Sequence, residues 1–207
     1  IEDNNYNPTL LNEAIPFYNN GVVAIKNKKY NLAIENLKEV IVLDPYFTDA
    51  YDMIAVAYRR INQLDTAIEY YKRSLKIFPK NRLAQNNLGM TYIQDYQYIK
   101  AEEVYKNLLN LNGISQESSE SKILLNAEPY YGLCRVYFYQ KKYDLAIFNG
   151  NKAYYGWKQD LPLYASDALY LVALSYLNKG DETQGVIVLR QSATLGNKNA
   201  QNRLQDY

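Results

Sequence analysis

Apolar residues recur along this chain at intervals of three and four, in blocks of a dozen or so separated by turn-forming residues. In KYNLAIENLKEVIVLDP, Lys29–Pro45, they fall at 32, 33, 34, 37, 40 and 41. That broad stripe of 3.6 period predicts an amphipathic helix packed on two sides. The pattern returns in QLDTAIEYYKRSLKIFP, residues 63–79, again with a leading turn residue, an early alanine and a closing proline. Ala33, Ala67 and Ala101 keep a step of 34, as do Pro45, Pro79 and Gly113. In the preceding helices Gly21, Ala55 and Gly89 keep it too. A period near 34 made of two short helices marks a stacked helical array.

Followed along the chain, the periodicity predicts five units. Residues 1–10 are Asn-rich, carry Pro8 and read as a loose tail. The units then cover about 14–47, 48–81 and 82–115, the first tolerating Pro16 because it falls in an opening helical turn. The segment 116–126 is polar and serine-rich for most of its length and reads as an inserted loop. Tyr92 to Tyr137 and Ala101 to Ala146 are both 45 apart, which places 11 extra residues between units three and four. Tyr137 to Tyr176 and Ala146 to Gly185 are both 39 apart, placing 5 more around LPLYA. Units four and five follow at about 127–160 and 166–199, and Ala200–Tyr207 begins a short helix whose polar Gln201, Asn202, Arg203 and Gln205 suit a terminal cap.

These residues closely resemble the tetratricopeptide repeat family over about 170 positions. The segment SATLGNKNAQNRL resembles the inter-repeat turn of the related Sel1-like repeats. The resemblance implies an all-α fold, a right-handed superhelix of about five two-helix units forming one domain over residues 11–207, and no catalytic activity. It also implies a concave side, lined by the first helix of every unit, that takes an extended peptide or a partner's helix. Small residues at 21, 55, 89, 134 and 173 let paired helices approach to ~8–10 Å.

On that reading the groove is lined by Tyr18, Val22 and Ile25 in the first unit, and by Asp49, Asp52, Val56 and Arg59 in the second. The third contributes Asn86, Met90 and Ile93, the fourth Tyr131, Arg135, Phe138 and Tyr139, and the fifth Tyr170, Leu174 and Leu177. The stripe is apolar and aromatic, which suits an apolar or aromatic segment of a protein partner. If these side chains stand free of the core, Tyr131→Ala with Phe138→Ala removes binding and leaves stability unchanged. The family's clamp for C-terminal carboxylates needs Lys and Asn where this chain has Tyr18, Val22, Met53, Leu83 and Asn87, so that ligand class is excluded. A second reading stays open: an assembly module, for instance of a periplasmic or secretion complex, that packs through its ends and edges.

Composition narrows the chemistry further. The 207 residues include 23 tyrosines, no histidine and one cysteine, Cys134, which excludes an internal disulfide, a Cys/His zinc site and a histidine-based triad. A net charge of +1 gives no field to hold nucleic acid, and no run of 18 apolar residues offers a membrane span. No cofactor motif occurs. Asp49 and Asp52 share one helix face and read as solvated acids rather than a catalytic pair. Basic residues that follow the first helices, Lys26, Arg59, Arg60 and Lys179 among them, complement helix dipoles. Tyr154, Tyr155 and Trp157 read as a plug beside the irregular junction, with a partner hot spot as the alternative. The chain starts without methionine, which fits either a cytoplasmic protein or an exported one with its leader removed.

Overall fold

A computed structural model describes residues 10–111 and 120–207, with the side chains of all but 111 and 120–126 among them. The described residues form eleven α-helices and two single turns of 3-10 helix, with no strand. They gather into two compact units, one up to Asp95 and one from Tyr96 onward. The first holds α1 (Ile15–Lys26), α2 (Tyr30–Leu43), α3 (Thr48–Arg60), α4 (Leu64–Ile77) and α5 (Arg82–Gln94). The second holds α6 (Tyr98–Leu111), α7 (Glu120–Tyr139), α8 (Tyr143–Trp157), α9 (Pro162–Lys179), α10 (Glu182–Thr194) and α11 (Lys198–Arg203). Within each unit every helix packs on the next in sequence, and first helices also meet one another: α1 with α3, α3 with α5, α7 with α9.

The small residues do what their size predicts. Gly21, Ala55, Gly89, Cys134 and Ala173 are all buried. A Cβ on Gly21 would come within 2.6 Å of Leu37 Cγ, itself fully buried, so the α1–α2 approach has no room for alanine. Gly150 sits similarly against Val172 and Cys134. Polar ties link helices of the same and of neighbouring repeats. The Tyr137 hydroxyl donates to Glu102 Oε1 at 3.0 Å, and Glu102 also pairs with Lys106 at 2.6 Å. Asn197 caps α11 and donates to Asp167 Oδ1 at 2.7 Å.

A backbone feature repeats independently of side-chain type. The turn between the two helices of each unit contains one residue of positive φ: Lys28, Asn62, Tyr96, Lys141 and Gly180. Their positions step by 34, 34, 45 and 39, the same displacements as the sequence markers. Only the last is a glycine, so the other four hold a left-handed conformation against the steric preference of an L side chain. Tyr96 is 79% exposed, so little packing is lost with its ring. Tyr96→Gly is therefore expected to be neutral or stabilising by up to about 1 kcal/mol, read by chemical denaturation, whereas Gly180→Ala costs a similar amount.

The extra residues are accommodated differently from the sequence reading. The tail at 1–10 lies outside the described residues except for Leu10, and so does 112–119 of the insertion. The remainder of the predicted loop, 120–126, is helical and continues into α7. KILL, 122–125, is an apolar run of helix-forming residues, and this outweighs the serines before it and the in-helix Pro129. The smaller insertion, around LPLYA, is helical too. α9 has 18 residues where α3 and α5 have 13, so the five extra residues lengthen a first helix at its start.

Candidate functional site

The first-helix faces of the two units are taken one at a time. In the first unit, Val22, Val56 and Met90 lie six residues before the left-handed turn residue of their respective repeats, and all three are half-buried. They make an apolar row across α1, α3 and α5. Four residues earlier comes a second row, Tyr18, Asp52 and Asn86, and three residues later a third, Ile25, Arg59 and Ile93. Tyr18 is half-buried and its ring meets Phe47 edge-on at 5.3 Å. Ile25 and Arg59 are half-buried, whereas Asn86 and Ile93 are buried at 6% and 4% exposure and contribute packing more than open lining.

Asp52 departs furthest from the sequence reading. It is 7% exposed, so it is not a solvated acid, while Asp49 one turn earlier is exposed. The side-chain amide of Asn81 donates to Asp52 Oδ2 at 2.8 Å, and the same Asn81 caps α5 by accepting from the Ala84 N–H at 3.1 Å. Asp52 Oδ1 is enclosed and has no hydrogen-bond partner, and the Ser74 hydroxyl, Tyr71 hydroxyl and Arg59 Nε are enclosed without partners as well. Burial pushes the Asp52 carboxyl up to about 6, against the opposing influence of Ser74 and Asn81 and with some help from Asp49. The Ser74 hydroxyl stands beside the carboxylate and favours its ionised form. Burial also raises Asp49, and burial together with the Asp49 charge raises Tyr18. Tyr71 is pushed up to about 12, chiefly by burial. Asn81, Tyr71 and Ser74 were not among the predicted site residues, although an Asn just before a helical run is a readable capping signal.

In the second unit the predicted lining divides. Tyr131 meets Trp157 edge-on at 5.5 Å and packs on a buried cluster of Ala127, Ala153, Trp157, Ala165 and Ala168. Burial, and secondarily Asp167, pushes its hydroxyl up to about 12. Tyr131 is therefore structural, and the expectation that Tyr131→Ala leaves stability untouched is corrected: this ring fills space between α7, α8 and α9. Tyr170 likewise packs on the buried trio Ala173, Leu189 and Ala200. Arg135, Phe138, Leu174 and Leu177 are half-buried, and Tyr139 is exposed. Tyr139 stacks on Tyr98 at 5.7 Å with planes 13° apart, and Phe138 stands edge-on to Tyr139 and to Tyr143. Tyr98 joins this aromatic run from the start of α6, a second helix that a reading of first helices passes over.

Cys134 is fully buried and its thiol is pushed up to about 12 by that burial, so it is an inert packing group. Among the described residues no group of His, Cys, Asp or Glu is arranged to hold a metal ion, and no helix is long and apolar enough to cross a membrane.

Comparison with known proteins fits this geometry. Residues 48–81 match a tetratricopeptide repeat model. The uncharacterized protein ycf37 of Guillardia theta is 29% identical over 98 residues, 45% of this chain and 55% of that protein. The chain spans about half the length of the curated relatives it matches first. Among solved structures, MamA from Desulfovibrio magneticus RS-1 superposes with a TM-score of 0.72 at 16% identity, covering 90% of this chain and 97% of that one. The apo form of RapI superposes with a TM-score of 0.79 at 15% identity, covering 90% and 71%. At such identities the likeness concerns the fold: sequentially packed helical hairpins, as in repeat solenoids.

Proposed function

We propose that this chain is a scaffold for protein–protein interaction built of stacked tetratricopeptide repeats, whose first-helix faces bind an apolar or aromatic segment of a partner polypeptide, with no catalytic step. The observation that carries this reading is the row Val22, Val56 and Met90, three apolar side chains at one register that their own unit leaves half-exposed. Core positions of the same helices, such as Ile54 and Ala55, are fully buried, so the row is only partly used by the packing that stabilises the hairpins. Half-open apolar stripes at helical spacing are the usual seat of a helix or extended segment. In the second unit Phe138, Tyr139 and Leu174 form the corresponding face, and Tyr131 and Tyr170 support it from beneath. The turn at 192–204 is read as Sel1-like.

The test is selection of displayed 12-residue peptides on the immobilised chain, followed by two variants. Val56→Arg puts a charge into the first row, and Phe138→Ala with Tyr139→Ala strips the second face. Peptides that bind a first-helix face are expected to weaken at least tenfold on the matching variant, with helical content and melting temperature retained. Selected peptides indifferent to both variants would move the binding surface to the ends or edges of the array.

A further inference from the structure

The geometry points to a docking site for an acidic segment of a partner polypeptide on the turn edge of the first unit, where Lys28 and Lys29 flank an apolar hollow. The site lies apart from the first-helix faces and stands or falls independently of them.

Three observations lead there. Between the turns of the first and second repeats, Lys28, Lys29, Tyr30, Asn31, Leu32 and Ile61 line a solvent-open cavity of about 270 Å³. Tyr30 and Ile61 are half-buried and Leu32 is 46% exposed, so the hollow offers apolar surface that the fold leaves in water. Next, the charge around it is one-sided. The segments 26–32 and 59–65 carry Lys26, Lys28, Lys29, Arg59 and Arg60 against a single acid, Asp65. Lys26, Lys28, Lys29 and Arg60 are exposed, and none of them forms an ion pair with a described residue. Lastly, the helices do not call for two of these cations. Lys26 and Arg60 lie in the last turns of α1 and α3, where positive charge complements the helix dipole. Lys28 and Lys29 stand on the other side of the turn, before α2, whose first turn holds no acid and whose N-cap, Lys29, makes no side-chain cap. Cations there oppose the dipole, so they lower the stability of α2 rather than raise it.

The chemistry of the occupant follows from charge complementarity and shape together. Asp and Glu carboxylates gain from the unpaired cations, while an apolar side chain between them fills the hollow. The cavity is smaller than the ~300–1,000 Å³ of a small-molecule pocket and takes a single Leu, Met or Phe. Nucleic acid would meet the cations and leave the apolar floor uncovered, and a lipid surface is too flat to enter a hollow between two turns. An acidic polypeptide segment uses both features. Attraction by a patch of one sign also speeds its encounter with the chain.

The probe is a displayed 12-residue peptide library rich in Asp, Glu, Leu and Phe, selected on the whole chain. A class of peptides with acidic residues on both sides of one apolar residue is expected. For such a peptide, Lys28→Glu with Lys29→Glu should weaken binding about tenfold, and so should 500 mM salt in place of 50 mM. Helical content and melting temperature should be retained, since both side chains are exposed and an acid at this end favours the α2 dipole. Lys28→Gln with Lys29→Gln, which removes charge without reversing it, should weaken binding less than the reversal does. Leu32→Asn, or Ser in place of the peptide's apolar residue, should each weaken it about fivefold, and Val56→Arg should leave it unchanged. A selection that yields no acidic peptide dependent on the two lysines would overturn the site. Acidic peptides indifferent to both apolar changes would overturn it as well, reducing the edge to unspecific attraction. Tighter, lysine-dependent binding of a 20-nucleotide RNA or of phosphatidylserine vesicles would overturn the assignment of a polypeptide. Acidic peptides lost on Val56→Arg but indifferent to the lysine variants would overturn this site and leave the first-helix face standing.

Discussion

Trp157→Ala is expected to lower the stability of the second unit by about 3–5 kcal/mol, a fall of roughly 10–20 °C in its melting midpoint. Trp157 is 6% exposed and ends α8. Its ring lies edge-on to Tyr131 at 5.5 Å and tilted on Tyr164, also at 5.5 Å. Around it stand Ala127, Ala153, Ala165 and Ala168, all fully buried. Four methyl groups cannot swing inward to fill the space of a lost indole. The cavity therefore persists, and the cost lies toward the upper end of the range for such substitutions. Trp157→Phe should retain about half of the lost stability. Tyr155→Ala two residues earlier, 60% exposed, should change it by less than about 0.5 kcal/mol. Denaturation followed by circular dichroism is the right measurement, since the substitution removes the chain's one tryptophan and its fluorescence. Equal effects of Trp157→Ala and Tyr155→Ala would show that the aromatic cluster is a surface feature and that the plug at this junction lies elsewhere.

Asp52→Asn is expected to stabilise the first unit at neutral pH, by on the order of 3 kcal/mol at most. Burial pushes the folded carboxyl from 3.8 up to about 6, which means that the folded state holds its proton more tightly than the unfolded chain does. Below about pH 3 the group is protonated in both states and costs nothing. As pH rises from about 4 through 6, the unfolded chain releases the proton first, and stability drains away until the folded carboxyl has also ionised. The groups that face Asp52 are Asp49 on its own helix, Tyr71 and Ser74 on α4, and Asn81 at the start of α5. Of these Asp49 shares the direction of shift, and Tyr71 stays neutral throughout the window. Asparagine keeps the acceptor for Asn81 and removes the charge. The difference in unfolding free energy between variant and parent should thus be near zero at about pH 3, grow through pH 6 and level off by about pH 7.5. A difference that stays flat across this range would show that Asp52 is solvated when folded.

Much of this was legible in the residues. Alanines and glycines at a fixed step mark where helix axes must come close, because only a small side chain tolerates the approach; a Cβ added at Gly21 would stand 2.6 Å from Leu37 Cγ. The displacements of 45 and 39 recur in the backbone, where the left-handed turn residues at 28, 62, 96, 141 and 180 repeat them. What the added residues do was not legible. Serine content argued for a loop at 116–126, yet 120–126 is helical, since local propensity over KILL and continuity with α7 decide the matter. The first-helix stripe was also too coarse a guide. Tyr131 and Phe138 stand seven residues apart on the same helix, and one is wedged against Trp157 while the other stays half-open beside Tyr139. The difference comes from α8 and α9, which no periodicity within α7 reports.

By itself the sequence determined the repeat, its register and the helix pairs, because the spacing of small and apolar residues is a local constraint that each hairpin satisfies within about 34 residues. Only the tertiary structure decided which polar groups lose their water. Asp49 and Asp52 sit one turn apart with the same chemistry, and one is exposed while the other is enclosed by Ser74, Tyr71 and Asn81 from the next helices. Burial is a property of what packs across from a residue, and those partners lie 19 to 29 positions further along the chain.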